Sequence, residues 1–233
     1  MKTALTLPQA LFLLARDDAT GKPLGRHNSF IQAAGALAEL IMMERLVLQA
    51  GCMGIVEVVD TAPTGSTYLD TILDELAASK QPHRVQYWLS LFHGRRNRIG
   101  LIGEELVAKR IVEKVPAKFL GLFPVTRWPA LKTGTKHQLI SAMEKALFNE
   151  ANEPSERVGT IIALANSGHL LKRNFDRKKL RAHKRHILRA HKRHIKRLAK
   201  GGWPASTAII QAITTLRTAI NTGIIASSLA GGR

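Results

Sequence analysis

One cysteine in 233 residues, Cys52, rules out an intrachain disulfide. Its surroundings, "VLQAGCMGIV", are apolar and hold no basic group to lower a thiol pKa, which suits a buried structural side chain in a reducing compartment. Aromatic residues are scarce at 5%, and acids are few, with 17 Asp and Glu against 35 Lys and Arg. The chain opens on "MKTALTLPQALFLLARDD", an apolar run that a signal peptide could share. Pro8 and Gln9 interrupt the run, no small-x-small cleavage site follows, and Arg16-Asp17-Asp18 closes it as a helix end does. Residues 205–230 are rich in Ala and Ile but include Gln211, Arg217, Asn221 and several Thr and Ser. A membrane span needs about 20 predominantly apolar residues, so this stretch reads as a buried helix. Catalytic signatures are missing as well: there is no G-x-x-x-x-G-K-[ST], G-x-G-x-x-G, H-E-x-x-H or G-x-S-x-G. The carboxylates of "DDATG" and "DELAAS" fall at helix ends and on solvated faces, where acids are common. The expectation is a protein that is not an enzyme and holds neither cofactor nor metal.

What is present is apolar content sufficient for a sizeable core, 45% of residues, and a formal charge of +18 that is unevenly spread. Residues 172–200 hold 14 Lys and Arg against the single acid Asp176, a net of +13; the other 204 residues carry 21 basic and 16 acidic side chains, a net of +5. Such concentration points to a local anionic partner.

Helical periodicity dominates the rest. Thr6 can cap a first helix with Pro8 in its opening turn, and "FIQAAGALAELIMMERL" (30–46) is apolar nearly all round, as a central buried helix would be. "GIVEVVD" (54–60) alternates like a short strand and ends in the turn signal "APTG". Helices are expected at 67–79, at 84–93 with Val85, Trp88, Leu89 and Phe92 on one face, and from "GLIGEELVAKRIVEKV" to about Val115. "GRRNR" (94–98) reads as a basic loop. "KFLGLFPVTRWPAL" (118–131), with Gly121, Pro124 and Pro129, breaks the pattern and suits a short hairpin or extended arm, either packed away or exposed as an interaction site. Helices follow at about 134–150 and 155–169, and "GGWPAST" breaks the chain before a last helix.

The basic segment contains an eight-residue unit repeated almost perfectly, "RAHKRHIL" and "RAHKRHIK" (181–196). A single helix over 177–200 would be about 36 Å long, with Leu180, Ile187, Leu188, Ile195 and Leu198 on one side and nearly all Lys and Arg on the other. Eight residues advance a helix by about 80° beyond whole turns, so the two copies do not share a face, and a local duplication explains the repeat. The pairs His183/His186 and His191/His194 have a metal-compatible spacing, but a cation there would sit among positive side chains with no carboxylate to offset them. Three readings remain for the basic arc: a solvated face, an anionic lipid surface, or nucleic acid. Against the last, the segment lacks aromatic interleaving and its Leu/Ile stripe needs cover.

The succession "LTLPQALFLLARDDATGKPLG" (5–25), "AAGALAELIMMERL" (33–46), "DTAPTG" with "LDTILDEL" (60–76), "VQYWLSLFHG" (85–94), "LVAKRIVEKV" (106–115), "FLGLFPVTRWPA" (119–130), "ERVGTIIALANSGHLL" (156–171) and "PASTAIIQAI" (204–213) resembles the Golgi phosphoprotein 3 family, particularly its bacterial members. The resemblance implies one mainly α domain over residues 1–233, with a central buried helix, a few short β-strands and a projecting β-hairpin. Eukaryotic relatives are non-enzymatic peripheral proteins that bind a phosphoinositide headgroup, act as adaptors for protein cargo and self-associate through the hairpin. By analogy, Phe119, Leu120, Leu122, Phe123 and Trp128 become membrane or oligomer contacts, and the chain a cytoplasmic protein on anionic phospholipid membranes. The family's headgroup pocket does not carry over: no Trp stands in "KPLGRHNSF", and its basic positions fall on Ala33, Leu101 and Glu104. The cations left for a headgroup are Arg26, His27, Arg95, Arg96 and Arg98, with Lys184, Arg185, Lys192 and Arg193 on the basic helix. The alternative is a nucleic-acid-associated protein using the same helix 177–200.

Overall fold

A computed structural model describes residues 5–25, 28–49, 54–120, 122–149, 154–183 and 185. Helix α1 (Leu7–Leu14) starts as its sequence dictates. The Thr6 hydroxyl accepts from the Gln9 amide, the Gln9 side chain accepts from the Thr6 amide, and Pro8 sits in the first turn. All eight residues of α1 are buried, and α2 (Asn28–Met42) is buried from Ser29 to Ile41. These two helices are the centre of the core. Around them lie α3 (Thr67–Ala77), α4 (Val85–Gly94), α5 (Ile99–Ala108), α6 (Thr133–Phe148) and α7 (Glu156–Ser167), with α8 (Leu171–Asn174) and α9 (Arg177–Ala182) following. The architecture is mainly α, with the expected central buried helix.

Two small antiparallel sheets complete it. In the first, β1 (Leu46–Leu48), β2 (Ile55–Val58) and β3 (His83–Arg84) pair in that order, Leu46 facing Val58 and Val56 facing His83. The second is a hairpin of β4 (Val115–Phe119) and β5 (Phe123–Arg127).

Ion pairs lock the core from outside. Glu39, buried in α2, takes two bonds from the Arg157 guanidinium of α7 (2.7 and 2.9 Å) and one from the Leu7 amide (2.7 Å), so one carboxylate caps α1 and ties three helices together. Glu105 of α5 likewise accepts from the Ser66 hydroxyl and Tyr68 amide at the start of α3 and from the Gln9 amide group of α1. Burial raises the Tyr68 hydroxyl far above the usual tyrosine range.

Two expectations are corrected. Helix α5 ends at Ala108 and does not reach Val115. Arg110 takes a left-handed φ of 54°, Val112 bridges to Ala130, and the chain turns into β4. Val107 and Ile111 keep helical spacing and pack on the core, which is why periodicity extends the helix too far. The segment 94–98 is not an open loop throughout, since Arg96–Arg98 forms a 3-10 turn. Helix α9 begins at Arg177, capped by Asp176, and runs to Ala182; His183 bonds back to the Lys179 carbonyl and packs edge-on against Phe148, and Arg185 beyond it is again helical. Residues 186–200, the helix expected over 205–230 and Cys52 lie outside the described residues.

Candidate functional site

The hairpin carries the largest exposed apolar side chains among the described residues. Phe119, Leu120, Leu122 and Phe123 are 57%, 75%, 79% and 59% exposed, and Val125 is exposed beside them. Register sorts the strands into two faces, because directly paired residues of an antiparallel ladder lie on the same side. Phe119 pairs with Phe123, Ala117 with Val125 and Val115 with Arg127; between these, Lys118 pairs with Pro124 and Pro116 with Thr126. One face therefore carries Ala117, Val125, Phe119 and Phe123 towards the tip, with Val115 and Arg127 at its root, and the other carries Pro116, Thr126, Lys118 and Pro124. At the tip, Leu120 adopts a left-handed φ of 51° and the Leu122 amide bonds to the Phe119 carbonyl at 3.2 Å.

Trp128 does not belong with the tip residues. It is 5% exposed, and its indole meets Phe12 of α1 edge-on with centroids 6.1 Å apart. The other side of the indole lies over Gly103 of α5, where an added Cβ would come within 2.6 Å of the ring. Its backbone is held by the loop after α1: Gly21 has a φ of 64°, its carbonyl accepts from the Trp128 amide, and a Cβ there would collide with the Trp128 backbone. The expected contact residue is thus the root of the hairpin, buried because the strand returns to the domain at that point.

That root is braced by charge. Asp17 accepts from the Thr20 amide and hydroxyl, bonds that hold its carboxyl below the usual range. The Lys136 ammonium, buried at the start of α6, bonds to the Arg16 carbonyl and Asp18 carboxylate, both at 2.7 Å. The Ala130 amide bonds to the Asp18 carbonyl at 2.8 Å. Arg16 lies over the Phe12 ring, and burial lowers its guanidinium to about 10. On the same end of α1, Asn174 of α8 donates to the Leu14 carbonyl at 2.8 Å. The C-terminal end of α1 therefore anchors both the hairpin and the short helix that opens the basic segment. In α9, Leu180 packs against the core while Arg177, Lys178, Lys179 and Arg181 are exposed, as is Arg185 beyond it.

The other expected cations fall out differently. Arg95 and Arg98 come together on Glu75 of α3, Arg95 at 2.8 Å from one carboxylate oxygen and Arg98 on the other. Sequence reasoning did not find Glu75; "LDELAAS" offers it only as a helix-face acid. Arg26, His27, Lys184, Lys192 and Arg193 lie outside the described residues, as does the side chain of Arg96. Ala33 is fully buried in α2, Leu101 is partly buried, and Glu104 is paired with Lys114. Near that region Ser29 and His93 share a buried hydrogen bond of 2.5 Å, and His93 stacks on Phe30.

The model of the Golgi phosphoprotein 3 (GPP34) family matches residues 7–216, from the first turn of α1 to well past α9. The chain belongs to this family. No curated protein matches it. Membership in the Golgi phosphoprotein 3 family fits a phosphoinositide-binding adaptor of membranes, and no helix among the described residues is long and apolar enough to cross a bilayer.

Proposed function

We propose that this protein is a non-enzymatic, peripheral membrane protein of the cytoplasm that binds anionic phospholipid headgroups, with a single Golgi phosphoprotein 3-like domain as its body. The observation that carries the reading is the common anchoring of the apolar hairpin and the start of the basic segment on the C-terminal end of α1. An exposed pair of Phe and a pair of Leu at a hairpin tip suit entry into the headgroup boundary, and a dense set of Lys and Arg suits the negative potential of an anionic leaflet. Family membership supports the membrane-adaptor reading at a coarse level; cargo binding and self-association through the hairpin are further parts of the proposal.

Headgroup recognition in this chain is then mainly electrostatic, since the family's basic pocket positions are occupied by Ala33, Leu101 and Glu104. The contributing cations are Arg26, His27, Arg95, Arg96, Arg98, Lys184, Arg185, Lys192 and Arg193, and the inserting side chains Phe119, Leu120, Leu122 and Phe123. Flotation with phosphatidylcholine vesicles, with and without phosphatidylserine or a phosphoinositide, tests this. Binding should rise with anionic lipid and weaken with salt. Equal recovery on neutral and anionic vesicles would overturn it. The exposed basic face of α9 keeps nucleic acid as the competing partner. If duplex DNA or RNA at matched phosphate concentration strips the protein from vesicles and binds more tightly, that partner replaces lipid.

A further inference from the structure

We propose that Glu75 is a built-in competitor for the anion that Arg95 and Arg98 would bind, so that the basic turn between α4 and α5 is held in a latched, partly neutralised state until a stronger anion displaces the carboxylate. The inference rests on the anionic-lipid reading above and concerns how one of its cation clusters is regulated.

Three observations lead to it. First, the carboxylate is divided between the two arginines, one oxygen to each. A guanidinium offers five N–H donors in a fork that suits two acceptors at once, so one shared carboxylate leaves donors on both side chains unused. A phosphate monoester offers three terminal oxygens and more charge, enough to engage both forks. Second, one of the two guanidinium side chains is accessible to an arriving anion: the Arg95 side chain is 47% exposed, while Arg98 and Glu75 are 20% and 18% exposed. Third, the turn does not need Glu75 to keep its backbone in place. The Arg95 amide bonds to the Phe92 carbonyl and the Arg98 amide to the Arg95 carbonyl, and α3 is seated by Tyr68, Leu69, Ile72, Leu73 and Leu76. Exchange of the carboxylate for a phosphate would change side-chain partners only.

The test is vesicle cosedimentation of the chain with phosphatidylcholine vesicles containing a phosphoinositide, whose ring phosphate is a monoester, comparing wild type with Glu75→Gln. Freeing the arginines should raise affinity about fivefold, the effect of roughly one added basic residue near an anionic surface. Asp74→Asn is the control, because Asp74 is exposed on the same helix and its loss changes the net charge equally. A gain in Glu75→Gln that Asp74→Asn lacks, and that Arg95→Gln with Arg98→Gln abolishes, supports the latch. The same gain in Asp74→Asn, or no gain in a Glu75→Gln protein that melts cooperatively, overturns the latch and leaves lipid binding by wild type standing. Should neither wild type nor Glu75→Gln distinguish anionic from neutral vesicles, the latch and the lipid reading both fall. A Glu75→Gln protein that has lost its cooperative melt also overturns the latch, since the carboxylate is then a structural support.

Discussion

The Trp128 indole meets the Phe12 ring edge-on, at an interplanar angle of 75°. This contact joins the end of the hairpin to the most buried helix of the core, and it separates what the hairpin presents from what holds it. Replacing Trp128 by Ala should lower the unfolding free energy by about 3–5 kcal/mol, as large-to-small core changes do. Chemical denaturation checks this. Trp128→Phe, which keeps a ring on Phe12, should cost less.

The tip should behave in the opposite way. Phe119→Ser with Leu122→Ser removes two exposed side chains, so stability should change by no more than about 0.5 kcal/mol per site. Vesicle flotation should fall sharply in the same protein. A stable double variant that floats like wild type would remove the hairpin from the membrane contact.

Leu120 offers a finer separation. Its left-handed backbone is strained for a branched residue and free of strain for glycine. Leu120→Gly should leave the melting temperature unchanged or raised, while weakening vesicle binding through loss of one apolar group.

Glu39 should be among the costly carboxylates. Glu39→Ala leaves the Arg157 guanidinium, itself 36% exposed, only the Leu5 carbonyl and leaves the Leu7 amide without its acceptor, a loss of about 1–3 kcal/mol by the measure of an unsatisfied buried donor. Denaturant midpoints of Glu39→Ala and of the double variant with Arg157→Leu would show the double variant recovering part of that loss.

Acid should loosen the loop that clasps the hairpin root. The Asp17 carboxyl is held below its ordinary value of 3.8, first by the Thr20 hydroxyl and then by the Thr20 amide. A depressed folded-state pKa adds stability above the unfolded value and loses it as pH falls through the folded one. The loop bonds should therefore persist down to that ordinary value and fail below it. Carboxyl carbon NMR titration reads the midpoint directly, and Thr20→Val should move it upward.

Much of the fold was legible in the residues. Thr6 and Pro8 announce the start of α1, and Val85, Trp88, Leu89 and Phe92 give the buried face of α4. The features that sequence missed are turns without a glycine to announce them and contacts with distant partners. Helix α5 ends in a local turn, with Arg110 left-handed and the Ile111 amide on the Leu106 carbonyl, and the bridge from Val112 to Ala130 then carries the chain into β4. The sequence 118–131 shows a run of aromatic and aliphatic residues but not which of them turns inward, because the slot for Trp128 is built from Phe12, Gly21 and Gly103, none of them near it in the chain. Glu75 was illegible as a partner of Arg95 and Arg98 for the same reason: an acid on a helix face is ordinary until the fold brings a second element across it.

The hairpin register has one more consequence. A proline has no N–H to give to a ladder, so Pro116 and Pro124 suit only positions whose amide side points away from the partner strand. They stand on different strands, at pairs two steps apart, which leaves each outer edge of the ribbon short of a donor. An incoming strand would find a gapped template on either side. Copies of this protein that meet through their hairpins would therefore interlock by side chains, ring against ring, and would not knit their backbones into a continuous sheet.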